Sequence, residues 1–314
     1  KKLVVCCLPI ALISVIMTFA NMIDMLTVNP CIKIAMKASP HTFDSLLSDK
    51  LTTDMLPNFI YGSYIGLAVT VFGLVPTITA MFGKSILPSL AESCAKNDKK
   101  AIQSGLTKML IVTSIIAIPA GMGIAVLSEP ILHFLFGGRE TEIQVCIMPM
   151  SILGIAVIFL AIATPCFAIL QTLGKPHKAI IIMLTGGIIK LFLNIILIRQ
   201  PIINISGAAI STLVSEVFIC ALSVRSVCKM TDLKPKVSEI FVKPTYAAIM
   251  CSVTAVLSHE TLTKIANLQI NHRFVTLFSI GIGSTMYFFC LYLLCETPKN
   301  IVNYIFSKKN PQNP

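Results

Sequence analysis

Eight long, nearly uncharged apolar runs dominate this sequence and limit what it can fold into. They are Leu3–Val28, Pro57–Gly83, Met109–Leu127, Val145–Leu173, Ala179–Ile198, Ile205–Val224, Val242–Ser258 and Phe274–Leu294. A helix needs about 20 apolar residues to cross a hydrocarbon core roughly 30 Å thick, and the runs are of that order. Val242–Ser258 is the marginal one, because Lys243 has to snorkel for it to span. The expected fold class is therefore all-α, a polytopic transmembrane helical bundle of eight spans. Composition agrees. Of the 314 residues 55% are hydrophobic and 12% charged, where soluble domains carry roughly 25% charge. That excludes an ordinary water-soluble enzyme. It also excludes a disordered chain, which needs low hydrophobicity and high charge. Sixteen Gly and 11 Cys leave no room for collagen-like or disulfide-rich secreted classes.

The loops test the span count. Cytoplasmic segments of membrane proteins are enriched in Lys and Arg. If the eight runs alternate, one set of segments holds 17 of the 25 basic residues, the other set holds 7, and Lys190 lies inside a span. This places both ends of the chain in the cytoplasm of a cell whose cytoplasmic membrane it crosses repeatedly. The net charge of +11 is mostly this bias. A nucleic-acid partner would need basic residues gathered on a solvated domain, and none is expected. The chain opens on Lys1 rather than Met, so the reading expects a piece of a longer protein. Lys1 and Lys2 precede an apolar run too long for a signal-peptide core.

No C-x-x-C and no paired Cys/His spacing of the zinc type occurs. Seven cysteines lie in the proposed spans, where a free thiol packs as a small hydrophobe. Glu129 and His133, four apart, resemble half of a metal site without a third ligand. No metal, cofactor or catalytic set is expected. Ser85–Gln103, with an apolar stripe near Lys96, Lys99 and Lys100, fits an amphipathic helix on the inner leaflet. The Asn29–Asp54 segment is read as a long outer loop. Proline and glycine punctuate the spans, which membrane helices tolerate because neighbours re-satisfy freed backbone groups. Gly62 and Gly66 form a GxxxG, a pattern that permits close helix approach. Recurrent breaks suit helices that kink and rock, as transporters require.

Three ionisable residues lie well inside spans: Asp24, Lys190 and Glu216. Charge at a helix centre costs about 2.5–3.5 kcal/mol on insertion scales for Asp or Lys, so such groups face a bundle interior or a wet cavity. At 1.5 Å per residue, Lys190 sits roughly 18 Å from the cytoplasmic start of its helix and Glu216 about 17 Å from the outer start of the next. Both are near the midplane on consecutive antiparallel helices and able to pair. Asp24 reads as further out, with Asn21 and Asn194 close enough in sequence to share a network. A neutral pair that only fixes packing competes with a polar patch lining a transport path.

Six segments then carry a resemblance: Pro9–Asp24 (PIALISVIMTFANMID), Gly73–Ala80 (GLVPTITA), Leu87–Glu92 (LPSLAE), Ile169–Pro176 (ILQTLGKP), Gly186–Asn194 (GGIIKLFLN) and Ser206–Thr212 (SGAAIST). In this order they resemble the second half of the polysaccharide-biosynthesis, stage V sporulation protein B-like branch of the multidrug/oligosaccharidyl-lipid/polysaccharide (MOP) flippase superfamily. The likeness runs from Leu3 to about Leu294, and lipid II flippases are more distant cousins. The resemblance implies fourteen helices in two six-helix lobes plus two extra helices, with the eight spans matching helices seven to fourteen. Residues 1–230 would be the C-terminal lobe, 231–298 the two additional helices and 299–314 a cytoplasmic tail, partnered by a missing N-terminal lobe and by membrane lipids.

It further implies translocation of a lipid-linked saccharide on a polyprenyl diphosphate, a precursor of polysaccharide or peptidoglycan, by alternating access. The polyprenyl tail would lie near the last two helices, which carry Phe278 and Phe288; lipid-facing aromatics are the plainer reading of these. Asp24 matches the cavity-lining acid of the seventh helix. Lys190 and Asn194 stand at the spacing of an Asn and an Asp that bind sodium in lipid II flippases, so a Lys ammonium takes a cation's place. Lys190 is then a built-in counter-ion for Asp24 or Glu216, or a contact for substrate diphosphate. Three alternatives stay open: a cation-coupled multidrug exporter of the same superfamily, a membrane-embedded glycosyl- or acyltransferase, and a non-transporting assembly factor.

Overall fold

The computed structural model describes residues 22–39, 54–96, 98–232, 238–266 and 272–294. Among them there are nine helices and no strand. They are α1 (residues 22–38), α2 (Leu56–Ala95), α3 (Lys99–Val126), α4 (Ser128–Phe136), α5 (Glu140–Thr172), α6 (Pro176–Leu197), α7 (Ser206–Thr231), α8 (Lys243–Ala266, led in by a π turn over Ser238–Val242) and α9 (His272–Leu294). Seven of these, all but α1 and α4, are long and apolar enough to cross a membrane. They coincide with the second to eighth expected runs, and the chain is a multi-pass membrane protein. Most of the first expected run, and Asn21 with it, lies outside the described residues.

The bundle is organised around α5. Half of its most apolar stretch is buried, against 22% for α6. It touches α2, α3, α4 and α7. Its apolar character on all sides is what a helix at the centre of a bundle needs. At one end its Ile143, Cys146 and Met150 pack with Ile32 of α1, Leu56 and Ile60 of α2, and Leu132 of α4. At the other end Ile162, Cys166 and Leu170 pack with Leu90, Leu106 and Ile182. Helices α8 and α9 pair with each other and lie against α3 through Ile118, Ala247, Ala248 and Leu291. Tyr287 of α9 is buried there and its hydroxyl donates to the Ile115 carbonyl at 2.8 Å. Tyr287→Phe is expected to lower stability by about 1 kcal/mol. Thermal unfolding of the purified protein reads this directly; an unchanged midpoint would mean the bond adds nothing.

Three expectations about segment ends are corrected. Helix α1 does not stop at Val28 but runs ten residues further, to residue 38. Val28, Cys31, Ile32 and Ala35 recur at helical spacing and are 0–3% exposed. Burying that stripe against α2 and α5 outweighs the helix-breaking tendency of Pro30. Asn29 at the same turn donates to the Asn58 side-chain oxygen at 3.0 Å. So the start of the supposed outer loop is helix. Nor is Ser85–Gln103 one interfacial helix. Its first part continues α2, which at 40 residues extends about 60 Å. The chain then breaks, and Asp98 caps α3 by accepting from the Ala101 amide at 3.1 Å.

The GxxxG of α2 is also not a packing seam. A methyl group built at Gly62 or Gly66 would meet nothing within 4 Å. Gly66 lies instead in a π segment, Tyr64–Val69, that interrupts α2. The close approach occurs elsewhere, where Gly121 of α3 crosses Gly154 of α5. A Cβ at Gly154 would lie 2.5 Å from the Ala125 backbone nitrogen and 2.8 Å from the Gly121 carbonyl oxygen.

Candidate functional site

Helices α6 and α7 are joined by a short turn and form an antiparallel hairpin. Lys190 and Asn194 are one turn apart on α6 and therefore share a face. The hairpin register brings Asn194 opposite Ser211 of α7, whose hydroxyl donates to Asn194 Oδ1. One turn further into the hairpin, that register brings Lys190 level with Ser215 and Glu216. Two turns in, Gly186 meets Ile219. Helix α1 closes over this face. Its Asp24 and Thr27, three residues apart, point at the same α6 surface.

The contacts are specific. Lys190 Nζ donates to Asp24 Oδ2 at 2.7 Å. Asn194 Nδ2 donates to Asp24 Oδ1 at 2.9 Å and to Thr27 Oγ1 at 3.0 Å. Thr27 in turn donates to the Ile23 carbonyl at 2.6 Å. The Asn194 amide thus uses both protons and its oxygen. Asp24 is 5% exposed, Lys190 8% and Asn194 fully buried. Taking an ion pair out of water costs several kcal/mol per ion unless partners satisfy the remaining sites. Here Asn194 supplies the second bond that Asp24 needs. Asp24 was read as lying further out than Lys190, and Glu216 as an equal candidate for the pair. The structure joins Lys190 to Asp24, because the longer α1 sets Asp24 deeper than a helix ending at Val28 would.

A second ring surrounds the pair. Tyr64 opens the π segment of α2, is 1% exposed, lies beside Thr212 of α7 and is within reach of the Asp24 charge, as is Tyr61. A π turn inserts one residue into the helical ladder and re-aims the side chains beside it, and such turns concentrate at functional sites. Thr27, Tyr61, Tyr64, Ser211 and Thr212 were not singled out from sequence. The available signal was slight: Thr27 stands three residues past Asp24, and Ser211 and Thr212 fall in a matched segment. Nothing local marks a π turn at Tyr64.

Glu216 is partly exposed, and its Oε2 atom is enclosed without a hydrogen-bond partner. Phe278 and Phe288 are 64% and 66% exposed on α9, pointing away from the protein. Tyr287 contacts Phe288 edge-on, with ring centres 5.8 Å apart. His133 lies between Glu129 at 4.0 Å and Glu140 at 3.6 Å. This cluster borders a cavity of about 570 Å³ also lined by His259 and Glu260 of α8. Among the described residues no group of three or more His, Cys, Asp or Glu side chains is arranged to hold a metal ion.

Comparison with known proteins agrees with this architecture. A family model described as "Lipid II flippase MurJ" matches residues 61–279. The lipid II flippase MurJ of Bacillus subtilis is 21% identical over 225 residues, 69% of this chain and 40% of that protein. A probable low-salt glycan biosynthesis flippase of Haloferax volcanii is 26% identical over 186 residues, 58% of this chain and 38% of that one. Stage V sporulation protein B of Bacillus subtilis is 22% identical over 182 residues, 57% of this chain and 34% of that one. The chain thus spans 34–40% of the length of these relatives. Among solved structures, a MOP superfamily transporter from Pyrococcus furiosus superposes with a TM-score of 0.50 at 15% identity, over 86% of this chain and 64% of that one. That likeness is one of fold.

Proposed function

The chain belongs to the lipid II flippase MurJ family, and from that premise we propose that it is the C-terminal part of a flippase for lipid-linked saccharides. The substrate class is a polyprenyl diphosphate carrying sugars. Its polar head crosses the cytoplasmic membrane by alternating access while the tail stays in lipid near α9, where Phe278 and Phe288 are exposed. Residues 1–230 form one lobe, 231–298 the two added helices and 299–314 the tail, with both termini cytoplasmic. The packing of α8 and α9 as a pair against α3 supports that division, and the 17-to-7 division of basic residues supports the orientation.

The observation that carries the reading is the Asp24–Lys190 pair, held by Asn194 between α1 and the α6–α7 hairpin. A desolvated ion pair is a poor device for stability alone, since apolar residues of similar volume do as well or better. It is a good device for a contact that must open, because either ion can exchange its partner for a charged group of the substrate. Lys190 as a point charge suits diphosphate, and Asn194 and Glu216 are further polar groups beside it. The multidrug alternative calls for surplus acid to attract organic cations, and the tally of Asp24 and Glu216 against Lys190 keeps it as the second reading.

The test is translocation of a fluorescent polyprenyl-diphosphate sugar by the complete flippase that contains this chain, in liposomes, scored by protection from a reagent outside the vesicles. Transport by the wild type, reduced tenfold or more in Lys190→Ala and Lys190→Met, is the expected result. No transport by the wild type overturns the flippase reading, and wild-type rates in both variants remove Lys190 from the mechanism.

A further inference from the structure

Three charged side chains lie deep in the described spans, and two of them are joined. The third is Glu216 on α7. It has no ion pair or hydrogen bond among the described residues, and its Oε2 atom is fully enclosed. The residue as a whole is partly exposed. We propose that Glu216 is a proton-binding site, and that the proton it carries decides whether Lys190 pairs with Asp24 or with Glu216. The purpose of such a switch rests on the flippase reading; its existence does not.

The neighbours of Glu216 narrow what it can bind. From α6, Lys190 reaches it electrostatically, but the ammonium hydrogen-bonds to Asp24. On its own helix the titratable neighbour is Cys220, one turn on. Helix α5 carries no charged residue from Ile143 to Thr172, only the thiols of Cys146 and Cys166. Helix α3 carries none from Met109 to Val126. Helix α2 brings Tyr64 to Thr212, one turn before Glu216, and α1 brings Asp24. The one cation within reach among these elements is Lys190. An enclosed carboxylate oxygen with neither hydrogen bond nor counter-ion is costly, and the group escapes that cost by taking a proton or by capturing the ammonium.

Two arrangements follow from the hairpin register. With Glu216 protonated, Lys190 stays on Asp24 and ties α1 to α6. With Glu216 ionised, two carboxylates compete for one ammonium on a flexible stem. Transfer to Glu216 needs rotation about the side-chain bonds of Lys190, because Glu216 sits level with it on the neighbouring helix. That transfer frees Asp24 and loosens α1 from α6. A proton loaded on one side of the membrane and released on the other would thereby bias the two states of the contact, which is the differential interaction any coupled conformational change requires. The coupling ion of this reading is the proton.

Infrared difference spectroscopy on the protein in liposomes tests the site without any transported lipid. The wild type at neutral pH should show a protonated-carboxyl stretching band that disappears as the pH is raised, is missing in Glu216→Gln, and gives way at lower pH in Asp24→Asn, where the freed Lys190 can replace the proton. In Lys190→Met, where no ammonium replaces the proton, the band should survive to higher pH than in the wild type. Spin labels at Met25 of α1 and Ile188 of α6, both exposed, should report a change in separation on raising the pH in the wild type and none in Glu216→Gln. Glu216→Gln mimics the protonated state and is expected to fold as the wild type does at neutral pH. A wild type without the band, a band unchanged in Glu216→Gln, or a label separation indifferent to pH overturns the proposal. A complete flippase containing this chain that moves no lipid yet gives both signals supports the switch and overturns the flippase reading alone.

Discussion

Lys190→Met is expected to destabilise the folded protein by about 3–5 kcal/mol, and adding Asp24→Asn to recover most of that loss. The first exchange keeps an unbranched side chain, one atom shorter, and removes the ammonium with its charge and its hydrogen bond to Asp24. It strands the Asp24 carboxylate, 5% exposed, with Asn194 as its remaining donor. The second exchange removes the stranded charge, and the two neutral side chains fit the same space. The double-mutant cycle therefore separates a coupled pair from two independent packing losses. Thermal or denaturant unfolding in a fixed detergent measures it. Two single substitutions that simply add would show that Lys190 and Asp24 do not depend on each other in the folded state, and the site would lose its central contact.

The same pair marks how far the sequence could be read. Seven of the expected spans coincide with helices because about 20 uncharged apolar residues have few other folds available in lipid. The face shared by Lys190 and Asn194 follows from helical spacing alone. The choice of partner does not. It depends on relative depth, and depth depends on where α1 ends. The polar step at Asn29 and Pro30 looks like a helix end, yet the stripe of Val28, Cys31, Ile32 and Ala35 that overrides it was already present in the sequence. Reading that stripe would have moved Asp24 inward, level with Lys190. Ser211 and Thr27 were less accessible, since a hydroxyl at a helix contact has no pattern of its own. The π segment at Tyr64 was out of reach, because an inserted turn is decided by what packs against it rather than by its six residues.

Glycine provides the sharpest contrast between pattern and structure, and it yields the second large effect. Gly154→Ala is expected to destabilise the protein by about 3 kcal/mol, the upper part of the range for overpacking. The added methyl would lie 2.5 Å from the Ala125 nitrogen, 2.8 Å from its Cα and 2.8 Å from the Gly121 oxygen. All three are backbone atoms of α3, so no side chain can swing aside and the helices themselves have to separate. Ser151, one turn earlier on α5, donates to the Ala125 carbonyl at 2.7 Å and would be pulled from it. Gly123→Ala, on α3 two residues from the crossing, meets nothing within 4 Å and should stabilise by about 0.5–1 kcal/mol through helix propensity. Opposite signs from two substitutions of the same kind, read as unfolding midpoints, locate the seam at Gly121 and Gly154. Equal losses at Gly154 and Gly123 would place the effect in general helix crowding instead. Because α8 and α9 rest on α3, a crossing this tight binds the added helices to α5. Helix α7 is packed on α5 as well, so the α1–α6 ion pair is the contact in this frame that can change partners.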